Sequence, residues 1–281
     1  MKLVIAKSAG FCFGVKRAIN KAFEVAKTEK NVFTLGPIIH NPQVIDALAQ
    51  KGIGVAVDIT ELKRAKAKKV IIRTHGISLE DRSRLEEEGF ELMDLTCPYV
   101  QKAQRYAKLL KDEGYQVVIL GDIEHPEVIG LKSYAGKDAW VVKGSEGFPK
   151  EIKNRAGLVV QTTQPVDELK KLVSRMIEQT SQLKVYNTIC SSTALKLKET
   201  EEVAKGVDVM LVVGGRNSAN TTQLARLCEH LSVPAHHIET AGELEEQWFK
   251  GAGKVGLTAG ASTPDWIIDE VIKVLKGYGR T

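Results

Sequence analysis

The sequence predicts an α/β fold: three similar small α/β domains with mostly parallel sheets, set around a pseudo-threefold axis with a central cluster cavity. Three observations lead there. Cys12, Cys97 and Cys190 each stand 24 positions ahead of a glycine, Gly36, Gly121 and Gly214. Four places beyond each glycine comes a polar residue, His40, His125 or Ser218. Around these markers the same alternation of apolar strand runs and helical stripes recurs, and the repeat lengths of 85, 93 and 91 residues are similar. The expected domains are 13–96, 97–189 and 190–281, the last joined by an N-terminal strand within 1–12.

The elements follow in order. A strand-like run precedes each cysteine: Lys2–Ala6, Phe90–Leu95 and Leu183–Ile189. A helix follows each. In the first, Val15, Ala18, Ile19, Ala22 and Phe23 form one apolar stripe. In the second, Pro98 suits the first helical position. The third runs from about Ser192 to Lys205, with Gly206 as its stop. Next come Val32–Leu35, Val117–Leu120 and Val209–Val213, short runs without polar alternation, as parallel strands covered on both faces require. Helices Pro42–Gln50, Glu127–Tyr134 and Thr221–Leu231 lead to short strands at Gly54–Val57, Trp140–Val142 and Ala235–Ile238. A last strand in each repeat runs into a polar turn within Ile71–Gly76, Val159–Gln164 and Val255–Thr263. Leu79–Glu88 reads as the helix after the first turn. Pro165 and Pro264 open the other two, with Thr263 as an N-cap candidate. Lys2–Ala6 is expected to pair with the last domain.

Composition narrows the class. The chain has 281 residues, 43% hydrophobic and 27% charged, ordinary for a globular protein. No apolar run is long enough to cross a membrane, and the N-terminus does not read as a signal peptide, so a cytoplasmic location is expected. Four cysteines in this length make no disulfide framework. The net charge of +5 is mild, and no nucleic-acid motif accompanies it. The densest basic cluster, Lys63, Arg64, Lys66, Lys68 and Lys69, reads as a solvated helix face.

In open parallel sheets, ligands bind beyond the carboxyl ends of the strands, where all these polar turns lie. A single free cysteine is most often a small buried hydrophobe, and Cys228, on a stripe with Leu224, Leu227 and Leu231, fits that. Cys12, Cys97 and Cys190 differ, because they occupy equivalent strand-to-helix junctions. Three thiolates suit an iron–sulfur cube with one open iron, or zinc with an added histidine; C-x-x-C runs are absent. The motifs H-N-P (His40–Pro42), H-P-E (His125–Glu127) and G-R-N-S-A-N (Gly215–Asn220) precede helices, whose N-termini favour phosphate. Each taken singly is an ordinary cap or turn; three at matching positions point to an anion pocket. Glu127 is the carboxylate beside a candidate histidine. Its plain role is a first-turn acid, and its functional role a proton donor with a raised pKa.

These residues together resemble a family. GFCFGVKRAI, LGPIIHNP, THG, TCPYV, EHPEVIG, QTTQ, NTIC, GGRNSANT and GASTPDWI, in order along the whole chain, are similar to the signatures of the 4-hydroxy-3-methylbut-2-enyl diphosphate reductases of the non-mevalonate isoprenoid pathway. The resemblance implies a three-lobed α/β fold and a [4Fe–4S] cluster held by Cys12, Cys97 and Cys190, its open iron facing the substrate hydroxyl. It implies diphosphate binding by His40, His75, His125, Ser218, Asn220 and Ser262. It further implies that Thr162 lies near the hydroxyl and that Glu127 donates the proton. Ala219 stands where many relatives carry serine; a contact through backbone N–H would tolerate this, and one through the hydroxyl would not. Electrons are expected from a ferredoxin or flavodoxin, since no dinucleotide fingerprint or Walker motif is present. The expected assembly is a monomer or homodimer without nucleic acid or membrane. Two rival readings are a zinc hydrolase of a phosphorylated small molecule and a non-enzymatic iron–sulfur redox sensor.

Overall fold

The computed structural model describes residues 1–149 and 152–278; residues 279–281, the end of the third expected domain, lie outside it. The first stretch contains β1 (Lys2–Ile5), α1 (Phe13–Thr28), β2 (Val32–Leu35), α2 (Pro42–Ala49), β3 (Ile53–Ala56), α3 (Ile59–Arg64), β4 (Lys69–Ile72) and α4 (Leu79–Glu87). The second contains β5 (Glu91–Asp94), α5 (Pro98–Asp112), β6 (Gln116–Leu120), α6 (Pro126–Ala135), β7 (Trp140–Val142), β8 (Arg155–Val160) and α7 (Val166–Ile177). The third contains β9 (Gln182–Val185), α8 (Ser191–Ala204), β10 (Val209–Val213), α9 (Ala219–His230), β11 (Ala235–Ile238), β12 (Lys254–Ala259) and α10 (Asp265–Tyr278).

The strands form three four-stranded, wholly parallel sheets, ordered β3-β2-β4-β5, β7-β6-β8-β9 and β11-β10-β12-β1. The α/β class and the parallel pairing are as the sequence predicts. Each sheet is completed by the strand that leads to a cysteine. β5 leads to Cys97, β9 to Cys190 and β1 to Cys12, and all three are edge strands with the same exposed-half-half-exposed pattern. The inner strands β6 and β10 are buried along their whole length, because helices cover both faces.

The chain forms two compact units. Met1–Lys16, Ile39–Asp46 and Ser191–Thr281 hold the sheet of β1, β10, β11 and β12. Its two faces are packed by Leu211, Val213, Leu257 and Val271 on one side and by Met210, Val212, Leu224 and Cys228 on the other. Arg17–Ile38 and Ala47–Cys190 hold the other two sheets. Their cores centre on Leu62, Ile72 and Leu85, on Leu110, Ile119 and Leu131, and on Leu158, Leu172 and Met176.

The marker glycines end the inner strands in one way. Gly36, Gly121 and Gly214 each donate an N–H at 2.8 Å to the last residue of the neighbouring edge strand, Ala56, Val142 and Ile238. Gly214 has φ +140°, and a Cβ there would strike the Thr263 hydroxyl. Only glycine fits such a position.

Several local expectations are corrected. The basic cluster is not one helix face. α3 ends at Arg64, Lys66 sits in a left-handed turn with φ 53°, and Lys69 opens β4. Lys69 is buried and pairs with Glu29 at 2.6 Å and Glu91 at 2.8 Å. Glu91 is its cross-strand neighbour, so strand register sets this site rather than helical periodicity. β9 stops at Val185, short of Ile189, and Thr188 then substitutes its hydroxyl for the ladder, bonding the N–H and carbonyl of Val160. Thr263 does not cap α10; its hydroxyl donates to Val213 at 2.9 Å. The 3₁₀ turns Ala241–Glu243 and Glu246–Phe249 were not expected; Trp248 of the second stacks on His236 at 3.9 Å.

Gly214→Ala is expected to lower the unfolding free energy by about 2–3 kcal/mol, combining strain at positive φ with overpacking. Gly277→Ala, inside α10 with open space around it, should be neutral or stabilising. Urea midpoints of the two variants check the contrast.

Candidate functional site

The three repeated cysteines share one backbone environment. The Cys97 N–H donates to Thr74 at 2.9 Å, that of Cys190 to Thr162 at 2.8 Å, and that of Cys12 to Ala261 at 3.2 Å. In each case the acceptor lies two residues past the end of β4, β8 or β12. Each thiol therefore starts from an equivalent junction at a strand's carboxyl end. All three are half-buried, and none forms a disulfide. Cys228 forms none either but is fully buried on α9, and burial pushes its thiol up to about 11. It belongs to the core.

The helix that follows each marker glycine is capped by its preceding side chain. His125 Nδ1 accepts the N–H of Glu127 at 3.2 Å, and Ser218 Oγ that of Thr221 at 3.4 Å. In the first repeat the cap is Asn41, whose Oδ1 accepts from Val44 at 3.0 Å, and not His40. The first loop is one residue longer there, so His40 precedes the cap. Asn41 was missed, although asparagine before a proline at the first helical position is a legible cap signal. Capping and ligand binding are compatible for His125: with Nδ1 accepting, the neutral ring carries its proton on Nε2.

Within the second compact unit, His75, His125, Glu127 and Thr162 lie together in two pairs. The rings of His75 and His125 meet edge to face with centroids 5.4 Å apart. Glu127 is buried, and Thr162 holds both its oxygens: the backbone N–H donates to Oε1 at 2.6 Å and the hydroxyl to Oε2 at 2.8 Å. Desolvation raises the carboxyl pKa to about 7 against the lowering effect of these two bonds. Glu127 can thus gain or release a proton near neutrality.

Within the first unit, Ser218 and Ser262 bring their hydroxyls to 3.4 Å, and Ser262 also donates to the His40 carbonyl at 3.4 Å. That carbonyl passes so close to Gly215 that a Cβ would stand 2.6 Å from it. Asn220 Oδ1 accepts the Ala261 N–H at 2.9 Å, which leaves its amide nitrogen buried and without a partner among the described residues. Asn41 Nδ2 is in the same state. Two orphaned buried N–H donors beside the N-termini of α9 and α2 suit an anion's oxygens. Ala219 opens α9 and can offer such an oxygen only its backbone N–H.

Lys196 on α8 was not foreseen. It is fully buried, and its ammonium donates to the carbonyls of Ser8 and Gly10, the latter at 2.8 Å. Burial lowers its pKa to about 8. No spacing rule marks a lysine on a weakly amphipathic helix as internal.

A model of the LytB protein family matches residues 3–276. This chain belongs to the LytB protein family. LytB relatives named 4-hydroxy-3-methylbut-2-enyl diphosphate reductase are similar over nearly the full length. That of Pelobacter propionicus is 47% identical over 273 residues, 97% of this chain and 96% of the relative. That of Geobacter sulfurreducens is 46% identical over 279 residues, 99% and 98% of the two chains. A solved structure of (E)-4-hydroxy-3-methyl-but-2-enyl diphosphate reductase, the terminal enzyme of the non-mevalonate pathway, is 40% identical. It covers 99% of this chain and 100% of its own, with a TM-score of 0.72. The Plasmodium falciparum E-1-hydroxy-2-methyl-but-2-enyl-4-diphosphate reductase is 26% identical, covers 98% of this chain and 88% of its own, and reaches a TM-score of 0.89. The LytB fold is thereby established for the three parallel sheets.

The raised Glu127 pKa has a consequence for stability. The folded protein holds this proton up to about pH 7, while an unfolded carboxyl releases it near 4.5. Stability should therefore fall as pH rises between those values, by an amount on the order of 3 kcal/mol at about 1.4 kcal/mol per unit. Glu127→Gln cannot ionise and should lack this decline. Denaturant titrations of both proteins across pH 4–8, in the same metal state, measure it; parallel pH profiles would contradict the assignment.

Proposed function

We propose that this chain reductively dehydroxylates 4-hydroxy-3-methylbut-2-enyl diphosphate to isopentenyl and dimethylallyl diphosphates. The observation that carries the reading is the buried Glu127–Thr162 pair, with a carboxyl that titrates near neutrality. Relatives bearing that enzyme name, 43–47% identical over nearly the whole chain, support the substrate and the reaction.

The reaction needs two electrons and two protons. The allylic C–O bond breaks, the oxygen leaves as water, and a new C–H bond forms. Glu127, protonated below about pH 7, delivers the proton that the departing hydroxyl requires. When Glu127 is protonated this bond reverses: Oε2–H donates to the Thr162 hydroxyl oxygen, and the hydroxyl's own proton passes to the departing oxygen as the Glu127 proton replaces it. Glu127 is then left ionised and must regain a proton before the next turnover. The diphosphate is bound by His40, His75, His125, Ser218, Asn220 and Ser262, with the Asn220 amide and the α9 N-terminus as donors. Ala219 contributes through its N–H, so the missing hydroxyl costs little.

Cys12, Cys97 and Cys190 are the residues that would hold a [4Fe–4S] cluster. Three half-buried thiols outside any disulfide, at equivalent junctions, form a soft donor set that fits it. Such a cluster supplies single electrons and a Lewis-acidic iron. A ferredoxin- or flavodoxin-type carrier would deliver the electrons from outside.

Anaerobically prepared protein should be brown and hold about four irons per chain by the stoichiometry of the cube. One zinc in a colourless protein would refute the cluster. Cys228→Ala should leave the iron content unchanged, at a stability cost of about 1 kcal/mol. Glu127→Gln should keep iron and substrate binding but lose about 10²–10⁴ in kcat with reduced viologen as donor. Undiminished turnover in that variant would remove Glu127 from the mechanism.

A further inference from the structure

The segments that approach the three cysteines lie beyond their strands, where no ladder satisfies their carbonyls. In each repeat a side chain on the helix after the opening cysteine reaches that segment instead. Arg17 lies on α1, five residues after Cys12, and its guanidinium Nη2 donates to Thr96 at 2.7 Å and Leu95 at 3.3 Å. These are the two residues immediately before Cys97. Lys196 lies on α8, six residues after Cys190. Its ammonium donates to Ser8, to Gly10 at 2.8 Å and to Ala259 at 3.4 Å. Ser8 and Gly10 belong to the run that leads to Cys12. Tyr106 lies on α5, after Cys97, and stacks on Tyr186 with centroids 3.9 Å apart and planes 6° from parallel. Tyr186 begins the run that leads to Cys190.

The helix after each cysteine thus grips the segment before the next cysteine: first to second, second to third, third to first. Two of the grips are cationic. A buried ammonium is costly unless its protons are satisfied, and Lys196 meets this by bridging two carbonyls of one loop and a third at the end of β12. An apolar side chain would pack α8 at less cost, so packing alone does not account for a lysine here.

We infer that Arg17 and Lys196 are positioning residues for the metal-binding thiols. Arg17 sets the backbone approach to Cys97, and Lys196 sets the approach to Cys12, each from the helix that opens the repeat which that approach closes. The inference rests on the cluster reading for its purpose, but not for its geometry.

The test uses the full chain, loaded with iron and sulfide without oxygen, in four variants: Arg17→Met, Lys196→Met, Arg17→Lys and Lys196→Arg. Hydrogen exchange is followed in the segments holding the bonded amides of Ser8, Ala9 and Cys12, and of Thr96 and Cys97. Arg17→Met should speed exchange at Thr96 and Cys97 at least tenfold and leave the Cys12 segment unchanged. Lys196→Met should do the reverse. Both should lose visible absorbance to a chelator at least fivefold faster than the parent, and Arg17→Lys and Lys196→Arg should return to within twofold of it. Unchanged exchange at the gripped segments, equal acceleration throughout the chain, or unchanged chelation rates would overturn the inference. Should Lys196→Met fail to fold, Arg17→Met, a change at a half-buried side chain, decides by the same localisation. A parent chain that takes up no iron refutes the cluster, and exchange in metal-free protein still decides whether the grips exist.

Discussion

Three backbone hydrogen bonds tie the molecule's chemistry to its fold: those from the N–H groups of Cys12, Cys97 and Cys190 to Ala261, Thr74 and Thr162. Each forms two residues beyond a strand that is inside its sheet, and each donor belongs to the chain leaving that sheet's edge strand. Parallel pairing makes this possible. Adjacent strands end on the same side, so the residue after the edge strand passes the turn after its neighbour. A slip of one residue in β1, β5 or β9 would turn its side chains to the opposite face and displace the thiol. The position of each cysteine is therefore a consequence of strand register, and the register is held by the buried apolar rows of β4, β8 and β12.

The same geometry explains why a carboxylic acid can sit dry at the second helical position of α6. The first turn of a helix presents free N–H groups, and the turn after β8 adds the Thr162 N–H and hydroxyl. These bonds favour the ionised form, whereas burial opposes it more strongly, and the balance falls near neutrality. More donors would drive the pKa back to the ordinary range, and fewer would leave a permanently neutral acid. A proton donor working near pH 7 requires burial to outweigh its donors by such a margin, which few surface acids could reach.

Much of this was legible in the sequence because it follows from period and punctuation. Apolar runs bounded by glycine marked the inner strands, and proline marked the start of α5. The joining of β1 to the last domain, where it pairs with β12, followed from the matching roles of the runs before each cysteine. What escaped were features set by tertiary neighbours. Lys69 looks like one member of a charged run, yet the strand register places it between Glu29 and Glu91. Lys196 is buried because loop carbonyls from residues 8 and 10 need donors, and those lie more than 180 positions away in sequence. The cap at Asn41 was obscured by a one-residue difference in loop length, which made His40 the apparent equivalent of His125 and Ser218.

Aligned by helix starts instead, the repeats reveal how one backbone serves two tasks. The second helical position holds Gln43, Glu127 and Asn220. Glu127 Oε1 accepts the Thr162 N–H, and Asn220 Oδ1 accepts the Ala261 N–H, at matching places beyond β8 and β12. In the first repeat the Thr74 N–H turns to the Ile38 carbonyl instead. One structural contact is thus kept in two repeats while the remaining atom of the side chain changes character. A carboxylate leaves an oxygen that can carry a proton; an amide leaves an N–H donor that can meet an anion. Exchanging the two would keep both backbone contacts and reverse both chemistries, taking the acid from the Thr162 hydroxyl and placing a negative charge beside the N-terminus of α9, where a diphosphate would be repelled. The repeats supply equivalent positions, and the difference between an amide and a carboxyl at one of them separates an N–H donor from a group that can carry a proton.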